Sequence, residues 1–129
     1  MLKLAKLSLL IFLTFFLVSC DRWIIEHWIV ENQTSGQLQI SGTDIFNGNE
    51  IFGSISPGSA LTIAERHRTG GTVTLTIENR EAIEVDDLVI TNSNLQVLRR
   101  DPFDVENWTS TALTLSDVEY LLIVTDDDF

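Results

Sequence analysis

Apolar residues in this chain recur at every second position in short runs, and beyond the first 20 residues no long segment carries a helical period. In GTVTLTIE, Val73, Leu75 and Ile77 fall on one side while Thr72, Thr74 and Thr76 fall on the other. Successive side chains of a strand point to opposite faces, so runs of this kind bury their apolar half only by laying one sheet against another. The preceding ALTIAER places Leu61 and Ile63 on one face, and Gly70-Gly71 between the two runs predicts a tight hairpin. GQLQISG puts Leu38 and Ile40 inward and Gln37 and Gln39 outward. In DVEYLLIVT, the more continuous face is Val118, Tyr120, Leu122 and Val124.

The punctuation agrees. Asn47-Gly48 is a short-turn signal, and Ser56-Pro57-Gly58 suits a turn with proline second and glycine third. Leu88–Thr91 and Leu95–Leu98 flank Asn92-Ser93-Asn94, which predicts a second hairpin. Asp101–Ser110 (DPFDVENWTS) is the longest irregular stretch. These signals predict an all-β fold, a single antiparallel β-sandwich of about seven or eight strands. There is no internal repeat and no second domain in the pattern.

The N-terminus differs in kind. Lys3 and Lys6 precede an uncharged run, Leu7 to Val18, that is shorter than the ~20 residues needed to cross a bilayer. A basic start, a short apolar run and a small residue at its end describe a cleaved, helical secretory signal. Leu17, Val18, Ser19 and Cys20 at that end resemble a bacterial lipobox. The resemblance implies signal-peptidase recognition of Leu17, Val18 and Ser19, cleavage after Ser19, and a diacylglyceryl thioether on Cys20, with an acylated amino terminus. Two or more acyl chains hold a protein at a membrane where one holds it only marginally. Cys20 is the only cysteine in the sequence, so no internal disulfide exists and packing alone stabilises the domain. The expected organisation is a signal peptide over 1–19, a lipid-anchored tether over 20–22 and a sandwich over 23–129.

The full chain carries a net charge of −11. Both lysines leave with the signal, and the remaining six arginines against 19 acids give −13. Such a domain has no basic stripe for nucleic acid, and no Lys/Arg cluster for an anionic leaflet. Attachment then rests on the lipid. Only Asp21 and Arg22 separate Cys20 from Trp23, at the head of the apolar run in RWIIEHWIVEN, so the folded body starts about 10 Å from its anchor. Apolar residues in that run do not alternate cleanly, which predicts cover on both faces or contact with lipid headgroups.

Several chemistries are excluded by residue type. A mature chain without lysine has no phosphate-loop GK[ST], Ser-x-x-Lys pair or Schiff-base lysine. With Cys20 acylated there is neither a thiol nucleophile nor a cysteine metal site. No G-x-S-x-G elbow occurs. His27 and His67 lack metal-ligand spacing, and Glu65–Arg68 reads as a solvated strand end. Asp126–Asp128, Asp86-Asp87 and DPFDVEN offer oxygen ligands but none follows the EF-hand spacing. Asn32-Gln33-Thr34 and Asn107-Trp108-Thr109 match the N-glycosylation pattern, which normally has no such meaning in a bacterium. Among aromatics, Trp28 and Trp23 are expected in the core. Phe103 and Trp108 lie in an acidic, polar loop and form the candidate binding surface, although the first expectation for Trp108 is a ring folded back over the sandwich end.

By size and strand pattern the mature part resembles small, Ig-like β-sandwich lipoproteins of Gram-negative bacteria. That resemblance implies a membrane-anchored, non-enzymatic module that meets another envelope protein. The alternative is a small-ligand or glycan binder using the loop around Trp108. No cofactor or metal is expected. Asp21 after the lipidated cysteine resembles an inner-membrane retention signal of enteric bacteria. Other Gram-negative lineages export such proteins, and the outer membrane is the expectation adopted.

Overall fold

The computed structural model describes residues 23–69, 83, 85–114 and 116–129. The lipobox with Cys20, and the Val73–Ile77 strand with its Gly70-Gly71 hairpin, lie outside the described residues. Among those described, seven strands and two 3-10 turns occur, and no α-helix. The strands are β1 (Trp23–Asn32), β2 (Leu38–Asp44), β3 (Glu50–Ile55), β4 (Ala60–Thr69), β5 (Val85–Thr91), β6 (Thr109–Ala112) and β7 (Asp117–Val124). They form a four-stranded sheet A, in the order β4-β1-β7-β6, and a three-stranded sheet B, in the order β3-β2-β5. Side chains of both sheets, such as Trp28 and Leu122 from A and Leu38 and Ile90 from B, enter one apolar cluster. Two sheets sharing one core form an architecture compatible with a β-sandwich.

Strict alternation explains the central strands. β7 buries Val118, Tyr120, Leu122 and Val124, as its pattern predicts, and β2 buries Leu38 and Ile40. β1 buries Ile24, Glu26, Trp28, Val30 and Asn32 on one face. Its other face is only partly covered, at Ile25, His27, Ile29 and Glu31. Hence the apolar density of β1 reflects one buried and one half-covered face. Trp23, expected in the core, sits at the strand's first position and is 58% exposed.

The sheet is not wholly antiparallel. β1 pairs with β4 antiparallel and with β7 parallel, aligning Ile25 with Asp117 through Asn32 with Val124. No short turn joins β1 to β7, so no turn geometry dictates their direction. The register instead brings Trp28 beside Tyr120, whose rings stack at 4.2 Å. Fully burying large apolar side chains contributes about 1.5–3 kcal/mol each, which makes this side-by-side pair a major fixative of sheet A.

The turns follow their chemistry. Ser59 N–H donates to Ser56 O at 3.0 Å and Gly58 has φ +73, the type II arrangement of Ser56-Pro57-Gly58-Ser59. This turn carries the chain from β3 in sheet B to β4 in sheet A. Asn47-Gly48 closes β2 onto β3, with Gly48 at φ +66 and its N–H on Asp44 O at 2.9 Å. The expected second hairpin is cut short. After β5 the chain reverses around Asn92, whose Oδ1 accepts from Asn94 and Gln96 N–H, but only a Thr91–Val97 bridge forms instead of a strand.

Candidate functional site

Within β4 the register against β1 slips between Trp28 and Ile29, so Ile63 and Ala64 are buried in succession. Before this bulge Leu61 and Ile63 face inward; after it the inward positions pass to Ala64, Arg66 and Arg68. A bulge inserts one residue and exchanges the two faces of the strand beyond it. Two consequences follow, one on each side of sheet A.

On the inner side, Glu26 of β1 is fully buried. Its Oε1 accepts from the Tyr120 hydroxyl at 3.3 Å, and its Oε2 lies 3.3 Å from Arg68 Nε. A buried carboxylate persists only where a partner offsets its lost hydration. Glu65–Arg68 is therefore not simply a solvated end, because Arg68 reaches in to Glu26. Arg66, two residues earlier, lays its guanidinium 4.2 Å over the Phe46 ring. Glu26 itself has no solvent exposure, while the Arg68 side chain that reaches it is 31% exposed.

On the outer side, the bulge places Glu65 directly across from His27 and on the face of His67. His67 Nε2 is 2.8 Å from Glu65 Oε1, and His27 Nδ1 is 3.4 Å from Oε2. Two histidines 40 residues apart in sequence thus meet at one carboxylate. Among the described residues, no group of three or more His, Cys, Asp and Glu is arranged to hold a metal ion.

A cleft of about 350 Å³ opens between the two sheets where β3 edges sheet B and β4 edges sheet A. Ile51, Leu61, Ile63 and Ala64 give it an apolar floor, Glu50 and Glu65 an acidic rim, and the Asp44–Asn49 turn closes one end. That turn is held by Asp44, whose Oδ1 accepts from Phe46 N–H at 2.9 Å and Oδ2 from Asn47 Nδ2 at 2.8 Å. Phe52 stands at the lip and is 85% exposed. Among the described residues, β3 and β4 each pair with a strand on one side only.

The aromatic loop behaves differently from an open platform. Trp108, read as a candidate binding residue, is 2% exposed. Its ring packs edge-on against Trp28 at 5.4 Å, and its indole N–H donates to Pro102 O at 2.9 Å. A buried indole needs such an acceptor, and the 101–107 loop supplies it by folding over the ring. Phe103 is 41% exposed, whereas Trp108 is buried.

The acidic C-terminus is a clasp. Asp126 accepts from Ser35 N–H and Oγ at 3.1 Å, while Arg99 Nη2 donates to Asp127 O at 2.6 Å. Arg100 grips Asp128 through two nitrogens, at 2.6 and 2.9 Å. Partial burial works to raise the Asp128 pKa, but the Thr125 backbone N–H and the Arg100 guanidinium outweigh it and hold the carboxyl below its ordinary value. The clasp spends the oxygens of Asp126 and Asp128 on protein donors.

Sequence reasoning missed Glu26 and Asn32 as interior residues. Both share the parity of Ile24, Trp28 and Val30 in β1, and that parity was the available signal. Asn32 is fully buried: its Nδ2 donates to Ile55 O and Gly36 O, and its Oδ1 accepts from Thr34 N–H and Oγ1, all at 2.7–2.8 Å. The Asn-x-Thr spacing is thereby explained as a local loop lock. Comparison of the chain with protein-family models, with curated proteins and with solved structures returned no match.

Proposed function

We propose that this chain is a lipid-anchored protein of the bacterial envelope whose Ig-like β-sandwich acts as a non-enzymatic interaction module. The observation that carries the interaction reading is the cleft between β3 and β4, with its apolar floor and, among the described residues, two strands that are each paired on one side only. Such a cleft fits an extended polypeptide segment, whose backbone pairs with an edge and whose alternate side chains enter the floor. The acidic rim favours a segment with basic flanks. The anchor reading is supported by Lys3 and Lys6, the uncharged run to Val18, and Leu17-Val18-Ser19-Cys20. The glycan-binding alternative loses its main support, since Trp108 has no open ring face.

Photocrosslinkers placed at Phe52 and, as a control, at exposed Ser93 test this in cells making the full chain. Covalent adducts with one envelope protein from position 52, absent from position 93 and removed by Leu61→Arg, are expected. Equal adduct patterns from both positions would overturn the reading. The anchor is tested separately: palmitate labelling should vanish in Cys20→Ser, and equal labelling would refute it.

A further inference from the structure

The three tryptophans divide sharply. Trp28 is 0% and Trp108 2% exposed, whereas Trp23 is 58% exposed. Trp23 opens β1, at the end of sheet A where the chain enters the fold. The same end carries Leu113, 53% exposed, just beyond β6. Its N–H donates to Asp117 O at 2.9 Å, and Asp117 lies beside Ile25 in the parallel register. Trp23 and Leu113 therefore stand two strands and about one strand pair of residues apart, roughly 12 Å, from the spacings of a sheet.

We infer that this end of sheet A is a footing on the bilayer surface, with Trp23 and Leu113 entering the headgroup layer. The inference rests on the Cys20 anchor proposed above. Cys20 precedes Trp23 by three positions, so Trp23 lies within about 10 Å of the thioether however the tether bends. The polar layer on each side of the hydrocarbon is about 5–8 Å deep. Trp23 is thus held at the boundary layer that indole rings prefer, one edge apolar and one N–H wet. An exposed tryptophan costs apolar hydration in water, and that cost disappears at the interface.

Charge at this corner is partly balanced: on the tether Asp21 is followed by Arg22, and among the described residues Asp117 accepts at Oδ2 from Thr114 Oγ1 at 2.8 Å, within the β6–β7 connection. The chain's acidity gives no attraction to anionic lipid, so the contact is apolar and insensitive to salt.

The fold supplies its own assay, because Trp28 and Trp108 are interior references. Full-length protein carrying its lipid is reconstituted into phosphatidylcholine vesicles brominated near the headgroup. A loss of tryptophan emission is expected, absent in Trp23→Phe, reduced in Leu113→Ser, and unchanged at raised ionic strength. Near-UV circular dichroism of both variants should match the parent, since neither side chain is in the core. Protein that floats with vesicles and carries the lipid mass on Cys20, yet shows no bromine quenching, would overturn the footing and leave the anchor standing. Protein without lipid mass that fails to float would remove the anchor, and the footing with it.

Discussion

Replacing Asn32 by alanine should be among the most damaging single changes outside the aromatic core. The side chain is fully buried and makes four hydrogen bonds. The bond to Ile55 O links the end of β1 in sheet A to the end of β3 in sheet B. On truncation, Gly36 O and Thr34 Oγ1 keep each other at 2.8 Å. Ile55 O and Thr34 N–H lose this buried partner, at about 1–3 kcal/mol each. The expected loss is about 3 kcal/mol, a large share of the ~5–15 kcal/mol typical of a domain. With a urea slope of ~1–3 kcal/mol/M for a protein of this size, the midpoint should fall by about 1–3 M.

Asn32→Asp sharpens the test. It retains an acceptor for Thr34 but turns a carboxylate oxygen toward the carbonyls of Ile55 and Gly36. Burial and those carbonyls would raise the folded-state pKa of the new carboxyl above its unfolded value of ~3.9. Its penalty is then largest at neutral pH and shrinks as pH falls toward that unfolded value, where protonation restores a donor. Equilibrium urea melts followed by tryptophan emission measure both variants. A loss below about 1 kcal/mol for Asn32→Ala, or an aspartate tolerated at pH 7, would refute the argument that this amide joins the sheets.

Trp108→Phe should cost about 1–3 kcal/mol, from the lost Pro102 bond and the unfilled volume beside Trp28, and should weaken near-UV circular dichroism. Gly48→Ala meets no atom within 4 Å, so its cost of about 1–2 kcal/mol comes from the φ of +66 alone, readable as a shift in thermal midpoint. The Asp128 carboxyl is held below its ordinary value in the folded state, so its stabilising contribution is complete above the unfolded pKa and is lost as pH falls below about 4. Asp128→Asn should flatten that part of the stability–pH profile, measured by urea midpoints. Phe52→Ser should change stability by less than ~0.5 kcal/mol, because the ring is 85% exposed, while removing any contact made at the cleft lip.

Period-two patterning was sufficient where one face is apolar and the other polar. It placed Leu38 and Ile40, and the four buried residues of β7, on the correct side. Turn chemistry was equally legible at Asn47-Gly48 and Pro57-Gly58, because positive φ favours glycine locally. The pattern misled at strand ends. Trp23 obeys its hydrophobicity in the sequence but stands at the first position of β1, where it is 58% exposed among the described residues. Trp108 stands among polar neighbours, yet the fold-back expectation holds: its ring is buried against Trp28 and its N–H is satisfied by the 101–107 loop. The 95–98 run had strand character, yet beyond the single bridge at Val97 the chain leaves the edge of β5 toward the Arg99–Arg100 clasp.

Local covalent and steric rules therefore determined the all-β class, the main turns and the buried faces of the central strands. They operate over a few residues, so a sequence displays them directly. Only the tertiary structure decided that β1 runs parallel to β7, that a bulge at Ile63 and Ala64 sends Arg68 inward and Glu65 outward, and that a cleft opens between β3 and β4. Each of these depends on a register between segments far apart in the chain. A register is chosen by the summed packing of both strands at once, as with Trp28 beside Tyr120. No short window of residues contains that sum.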